Sequence, residues 1–208
     1  MTTKPMIARL SAVTAGALML TGVAAAAVAE ESYGDHDVDV HVSISEIDEP
    51  GVLAMSVAGS STALAETGST PTIRQFTGSL PTVTVTDTRT PDEIEPGVGW
   101  YVLGTSSDFV GDAGQPAIGA EHLGWAPSLI DGGESGQIAE GDVVDTVMDA
   151  GSPDAVGLVD QELLALAYDS QAVAGESRWT ATANLFLRTP ATVEPGDYAA
   201  TITLSLFE

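Results

Sequence analysis

The sequence predicts an all-β fold, an antiparallel two-sheet β-sandwich of the Ig-like, Greek-key type. Three observations carry that expectation. Apolar and polar residues alternate with period two over several runs of five to nine residues. Pro- and Gly-rich breaks separate those runs, and no long stretch holds the 3.6-residue period of a packed helix. Sheets of this kind bury one face of each strand, and two of them stacked bury both faces' apolar sides in one core.

The chain first has to be divided. Lys4 and Arg9 stand before an uncharged apolar run from Leu10 to Ala29, which ends in Ala27-Val28-Ala29 just ahead of Glu30-Glu31. This is the layout of a signal peptide, and cleavage after Ala29 is expected. An uncleaved anchor is the alternative, since the run is about long enough to span a bilayer; its Ala- and Gly-rich composition favours cleavage. Residues 30–208 are then a single β-sandwich domain with no stable membrane span.

Asp37–Ile44 places Val38, Val40, Val42 and Ile44 on one face of a strand. Glu49-Pro50-Gly51 breaks it, and Val52–Val57 reads as the returning strand of a hairpin. A short strand is expected around Ala63-Leu64-Ala65. Thr82–Thr88 is dominated by β-branched residues and predicts a central strand. Thr90–Gly97, with two prolines, is a loop that opens into the strand Gly99–Gly104. Phe109–Gln115 is a Gly-rich turn region, followed by short extended pieces over Ala117–Trp125 and Ser128–Ile130. Asp131–Asp154 fits neither period and is read as a peripheral loop with a short strand or a turn of helix. Leu158–Tyr168 is open between helix and strand, with a strand favoured. Trp179–Leu187 and Tyr198–Leu206 each alternate over nine residues, and the Pro- and Gly-containing connection Thr189–Asp197 between them predicts a hairpin.

Charge narrows the function. Six Lys and Arg face 30 Asp and Glu, a formal charge of −24. Without its leader the chain has only Arg74, Arg89, Arg178 and Arg188, which excludes the clustered cations that phosphate contacts require. There is no cysteine, so disulfides, Cys-ligated zinc and thiol catalysis drop out. Only His36, His41 and His122 offer a catalytic imidazole, and no Gly-x-Ser-x-Gly elbow accompanies them. Thirty acids offer too many carboxylate pairs to be informative about hydrolysis. An enzyme is not expected.

Two sets of metal-ligating residues remain. Asp35, His36, Asp37, Asp39 and His41 are dense at the start of the mature chain, but they read equally as the solvated face of a strand. Asp108, Asp112, Asp131 and Asp142, with Glu134, Glu140 and Asp145, lie in Gly-rich loops of a kind that brings oxygens around calcium. Turn formation explains the same residues. Thus no cofactor is required, and Ca²⁺ is the ion to test. Among the three tryptophans, Trp100 and Trp179 fall inside strand signals and read as core, while Trp125, followed by Pro127, is the candidate for an exposed contact. Arg89 is expected to make a charge-assisted contact with Asp87 or a nearby loop acid.

Leu80–Arg89, with its Val-Thr-Asp-Thr-Arg run, then Gly99-Trp100-Tyr101-Val102-Leu103, and the terminal Pro195–Leu206 together resemble the WxL-type cell-surface domain of Gram-positive bacteria, in the form found in actinobacterial secreted proteins. The likeness covers about residues 76–208. Val102 stands where the first motif has Leu, and Leu204 where the second has Trp, while Tyr198, Ile202 and Leu206 keep their places. The resemblance implies a secreted or cell-wall-associated, non-enzymatic module that binds peptidoglycan or another wall glycan non-covalently, or works with other surface proteins. Trp100, Tyr101, Trp125 and Tyr198 are its candidate contacts. Adhesion or surface assembly, by binding other exported proteins, is the alternative. No Leu-Pro-x-Thr-Gly signal with an apolar tail is seen, so sortase attachment is not expected. A chain this acidic would approach anionic wall polymers through divalent ions or neutral contacts, so wall binding is expected to depend on Ca²⁺ or Mg²⁺.

Overall fold

The computed structural model describes residues 42–43, 49–149, 151–152 and 155–208, and Ile47–Glu208 form one compact unit. The unit is all-β, built of antiparallel sheets. The expected strand Asp37–Ile44 lies outside the described residues except for Val42 and Ser43. Among the described residues no helix is long and apolar enough to cross a membrane.

One sheet is organised on a single long strand. β10 (Arg178–Pro190) alternates buried and outward-facing residues along almost its whole length, with Trp179, Ala181, Ala183, Leu185, Leu187 and Thr189 inward. β7 (Leu123–Asp131) covers one edge of β10. Along the other edge β3 (Ile73–Ser79) and β4 (Val83–Asp87) run end to end. Their ladder breaks at Leu80-Pro81-Thr82, since proline has no N–H to give; the Leu80 N–H still donates to the Ala183 carbonyl at 2.8 Å and the Thr182 hydroxyl to the Leu80 carbonyl at 2.6 Å. β1 (Leu53–Val57) borders β4, and β2 (Ala65–Glu66) borders β3.

The second sheet orders β12 (Ile202–Phe207), β5 (Tyr101–Ser106), β9 (Glu162–Ala167) and β8 (Ile138–Glu140). A small ribbon pairs β6 (Val110–Gly111) with β11 (Tyr198–Ala199). The single α-turn among the described residues, α1 (Ser170–Val173), is capped by Asp169, whose Oδ1 accepts the N–H groups of Gln171 and Ala172.

Several sequence expectations need correction. The predicted hairpin between Trp179–Leu187 and Tyr198–Leu206 does not form, because both edges of β10 are already taken by β7 on one side and by β3 and β4 on the other. The chain instead crosses to the other sheet, where β12 pairs with β5. Nor is Tyr198–Leu206 one strand. Ser107 captures Thr201, donating its N–H to the Thr201 carbonyl at 2.9 Å and accepting the Thr201 N–H on Oγ at 3.0 Å, which separates β11 from β12. Conversely, the pieces expected on either side of Pro127 are one strand, β7. Beyond its pairing with β10, β7 makes among the described residues just an isolated bridge from Trp125 to Val144, so the strand tolerates the proline's missing donor. The short strand expected at Ala63–Ala65 is shifted to Ala65–Glu66.

The core is sealed at one end by indoles. Trp100 and Trp179 meet at 5.4 Å between ring centroids, tilted by 40°. Trp125 packs its ring against Gly104 on the opposite sheet, where any Cβ would come within 2.5 Å of the indole. The void left beside Trp100 and Trp179 measures about 10 Å³ and is lined mostly by apolar groups. It barely reaches the volume of one water, so this end of the sandwich is packed shut.

Candidate functional site

The opposite end is not shut. Between β1, an outer strand of the first sheet, and β12, an outer strand of the second, a groove of about 970 Å³ runs into the molecule. Its floor is Leu80, Leu123, Leu185 and Leu187, all buried side chains of the continuous core. Its walls are half-buried, with Met55 of β1 and Phe76 of β3 on one side and Ile202 and Leu204 of β12 on the other. The strand pattern explains why these meet: the inward positions of β1 are Leu53, Met55 and Val57, and those of β12 are Ile202, Leu204 and Leu206, each set at period two.

Polar groups share this groove with the apolar floor, among them Ser60, Thr62, Arg74, Thr189, Glu194 and Asp197. Thr189 is fully buried on β10 and borders the groove, and its hydroxyl has no hydrogen-bond partner among the described residues. A buried, unpartnered hydroxyl of this kind costs free energy until something bonds to it. At the rim, Arg74 donates from Nε and Nη2 to the two oxygens of Glu66, at 3.0 and 2.8 Å, and its guanidinium lies 5.0 Å from the Phe76 ring centre. That bidentate contact, then the Ser69 hydroxyl, hold the Glu66 carboxyl well down, at about 2.

The residues expected to touch wall material are scattered rather than convergent. Trp100 is 1% exposed and Trp125 0%, so neither ring is presented to a ligand, and both belong to the core. This corrects the expectation of an exposed Trp125: Pro127 does not end the strand, and β7 carries the indole inward against Gly104. Tyr101 is 37% exposed and stacks on Phe207, 38% exposed, with centroids 5.4 Å apart and planes 19° from parallel. They are cross-strand partners on β5 and β12. Tyr198 borders the groove, half-buried, with its hydroxyl donating to the Glu194 carbonyl at 2.8 Å. Phe207 was not legible as a site residue, because only the β5–β12 register brings it beside Tyr101.

The acids considered for calcium serve turns and loops. Asp108 Oδ1 accepts the Ala120 N–H at 3.0 Å, and Asp131 Oδ1 accepts the Gly133 N–H at 3.0 Å. Asp112 lies at 3.5 Å from the Gln115 amide, and Asp142 is exposed. Among the described residues no three His, Asp or Glu side chains stand together as a metal-holding group, so the structure does not bring Asp108, Asp112, Asp131 and Asp142 into one site. The other set, Asp35, His36, Asp37, Asp39 and His41, lies outside the described residues. His122, the one described histidine, has Nδ1 at 2.6 Å from the Arg188 carbonyl.

No family model matches the chain, and no curated protein matches it. Among solved structures, a family 123 glycoside hydrolase from Clostridium perfringens, described for glycolipid glycan hydrolysis, is similar at 15% identity with a TM-score of 0.31. The match covers 64% of this chain and 19% of that one.

Proposed function

We propose that the chain is an exported, envelope-associated module that works by binding, and that its binding element is the groove between β1 and β12. The observation that supports this is the groove itself: about 970 Å³ of space over an apolar floor, flanked by strands that, among the described residues, pair on one edge only. Such a site suits an extended polypeptide, whose backbone bonds to a free strand edge while alternate side chains enter the groove. This is the surface-assembly or adhesion reading. Co-purification with other exported proteins from the producing cells tests it. Val57→Asp, a charge placed at the groove on a residue already 40% exposed, is expected to abolish the partner's recovery. Equal recovery by the wild type and the variant refutes the groove as binding element.

A second reading is wall binding of the WxL kind, and the exposed Tyr101–Phe207 stack favours it, since two parallel rings offer an apolar platform to a sugar face. Pelleting with purified wall sacculi, with and without a chelator, tests that reading. Retention that is lost in Tyr101→Ala and Phe207→Ala supports it; a protein that stays in the supernatant at every Ca²⁺ concentration removes it.

A further inference from the structure

The two sheets differ in what they turn outward. In the first, β10 shows Thr180, Thr182, Asn184, Phe186 and Arg188, with the Arg188 guanidinium 4.6 Å from the Phe186 ring centre, and β4 adds Thr84 and Thr86. This is the polar outer face that an antiparallel sheet keeps toward water. The second sheet departs from it. Trp100, Val102, Leu164, Ala165 and Ala167 point inward and are at most 3% exposed, so alternation and pairing turn Tyr101 and Leu103 of β5, and Leu163 and Leu166 of β9, to the outside. The other outward positions of β5 and β12 are Phe207, Ser and Thr, and none is charged, in a chain of net charge −24.

The register gives this face an internal order. Phe207 of β12, Tyr101 of β5, Leu166 of β9 and Ala139 of β8 are successive Cα partners in one row across the sheet. The row shrinks step by step from the largest side chain to the smallest. Reversed and laid on itself it is complementary, with Phe207 over Ala139 and Tyr101 over Leu166, which is the large-on-small alternation that packed layers require. A two-fold axis along the strands, between β5 and β9, performs that reversal and also sets Leu103 over Leu163. Two copies of one twisted sheet stack in this way at a separation of about 10 Å. The large end of the row stands in water, since Tyr101 is 37% and Phe207 38% exposed.

We infer that the outer face of the second sheet is a two-fold interface between two copies of this chain. The graded row fits its own reverse, and charge agrees: copies this acidic repel, and a face without charged positions is where they meet at least electrostatic cost. A cationic partner finds nothing to pair with there. The face measures about 20 by 20 Å, roughly 400 Å² on each copy, against the ~800 Å² that each partner buries in a stable complex. The dimer is therefore a reversible one, and added salt strengthens it by screening the acidic remainder. The inference stands apart from the groove between β1 and β12, and a second copy covers the Tyr101–Phe207 stack that a sugar would otherwise take.

Sedimentation equilibrium of the exported protein from about 10 μM to 1 mM is expected to show monomer and dimer in exchange, with more dimer as NaCl is raised. Leu166→Glu, at a half-buried outward position, is expected to weaken the dimer by about ten-fold or more, because the new carboxylate loses water in the contact. Thr84→Glu makes the same charge change on the outer face of the first sheet and is expected to leave the dimer nearly intact, as is Val57→Asp at the groove. A protein that stays monomeric over the whole range at high salt overturns the proposal. So does a dimer that Leu166→Glu leaves unchanged, or equal weakening by Leu166→Glu and Thr84→Glu, which would make net charge rather than this face responsible. Crosslinking tests the pairing without disturbing the centre of the face. The chain has no cysteine, so Phe207→Cys and Ala139→Cys each carry a single thiol, and a thiol-specific crosslinker of about 10 Å reach matches the spacing of stacked sheets. The mixture of the two variants is expected to give several times more crosslinked dimer than either variant alone. No excess in the mixture overturns the two-fold arrangement.

Discussion

Arg89 holds the fully buried Asp87 in a fork, with Nε donating to Oδ1 at 2.9 Å and Nη2 to Oδ2 at 2.7 Å. The same guanidinium reaches Glu208 just beyond β12, through Nη1 to Oε2 at 2.8 Å and Nη2 to Oε1 at 2.7 Å. One arginine therefore ties the end of β4 in one sheet to the end of β12 in the other. Asp87 first and Glu208 second hold the guanidinium protonated above its ordinary range. The expectation of a charge-assisted contact between Arg89 and Asp87 is met, and the structure adds its consequence: the layers are fastened at this end and part at the other, where the groove opens. Asp87→Asn leaves Arg89 half-paired in a largely buried place, and urea denaturation is expected to show a loss of about 3–5 kcal/mol. Arg89→Lys, which keeps the charge but not the fork, is expected to recover only part of that stability.

Gly104 is a close-approach position rather than a turn. Its place opposite Trp125 leaves a Cβ only 2.5 Å from the indole and 3.2 Å from Leu204 Cδ2. The ring is fully buried and has nowhere to retreat. Gly104→Ala is expected to cost about 1–3 kcal/mol by overpacking, read as a lower urea midpoint with the denaturant slope unchanged.

Asp149 fastens the loop after β8 to β10 through an ion pair with Arg188 and hydrogen bonds from the Thr146 N–H at 2.9 Å and hydroxyl at 2.8 Å. Burial pushes its carboxyl up, but the Arg188 and Thr146 bonds outweigh that and hold it below the ordinary carboxylate range. A depressed folded-state value stabilises the fold above the unfolded value, near 3.9, and that contribution disappears as pH falls through the folded value. Asp149→Asn is expected to destabilise by about 1–2 kcal/mol at pH 7, discounted for partial exposure. The gap between variant and wild type should close as the pH falls through the depressed folded-state value, which thermal unfolding at successive pH values would follow.

Leu204 separates the two accounts of the second WxL-like motif. It is half-buried on β12 and forms part of the groove wall. Leu204→Trp introduces the residue that the resembled motif carries at this place and fills part of the trough. If the groove receives a strand, the larger ring is expected to lower partner recovery at least ten-fold while sacculus binding stays unchanged. Increased pelleting with sacculi would instead assign the position to the wall ligand.

Local pattern determined much of this protein. The period-two runs at Val52–Val57, Thr82–Thr88, Gly99–Gly104 and Trp179–Leu187 correspond to β1, β4, β5 and β10, because half-buried strands write their two faces into adjacent residues. Trp100 and Trp179 are core as their strand context predicts. Pairing and placement between distant elements were decided only in three dimensions. Nothing local tells Tyr198–Leu206 that both edges of β10 are occupied, that Ser107 will split it in two, or that Phe207 will stack on Tyr101. Trp125 reads as exposed beside Pro127 until β7 pairs along β10 and turns the indole toward Gly104. The groove is the clearest case of all, since it is a space between strands about 150 residues apart in the chain: alternation specifies which face of each strand is apolar, while only the packing of the two sheets decides which part of that apolar surface is left uncovered.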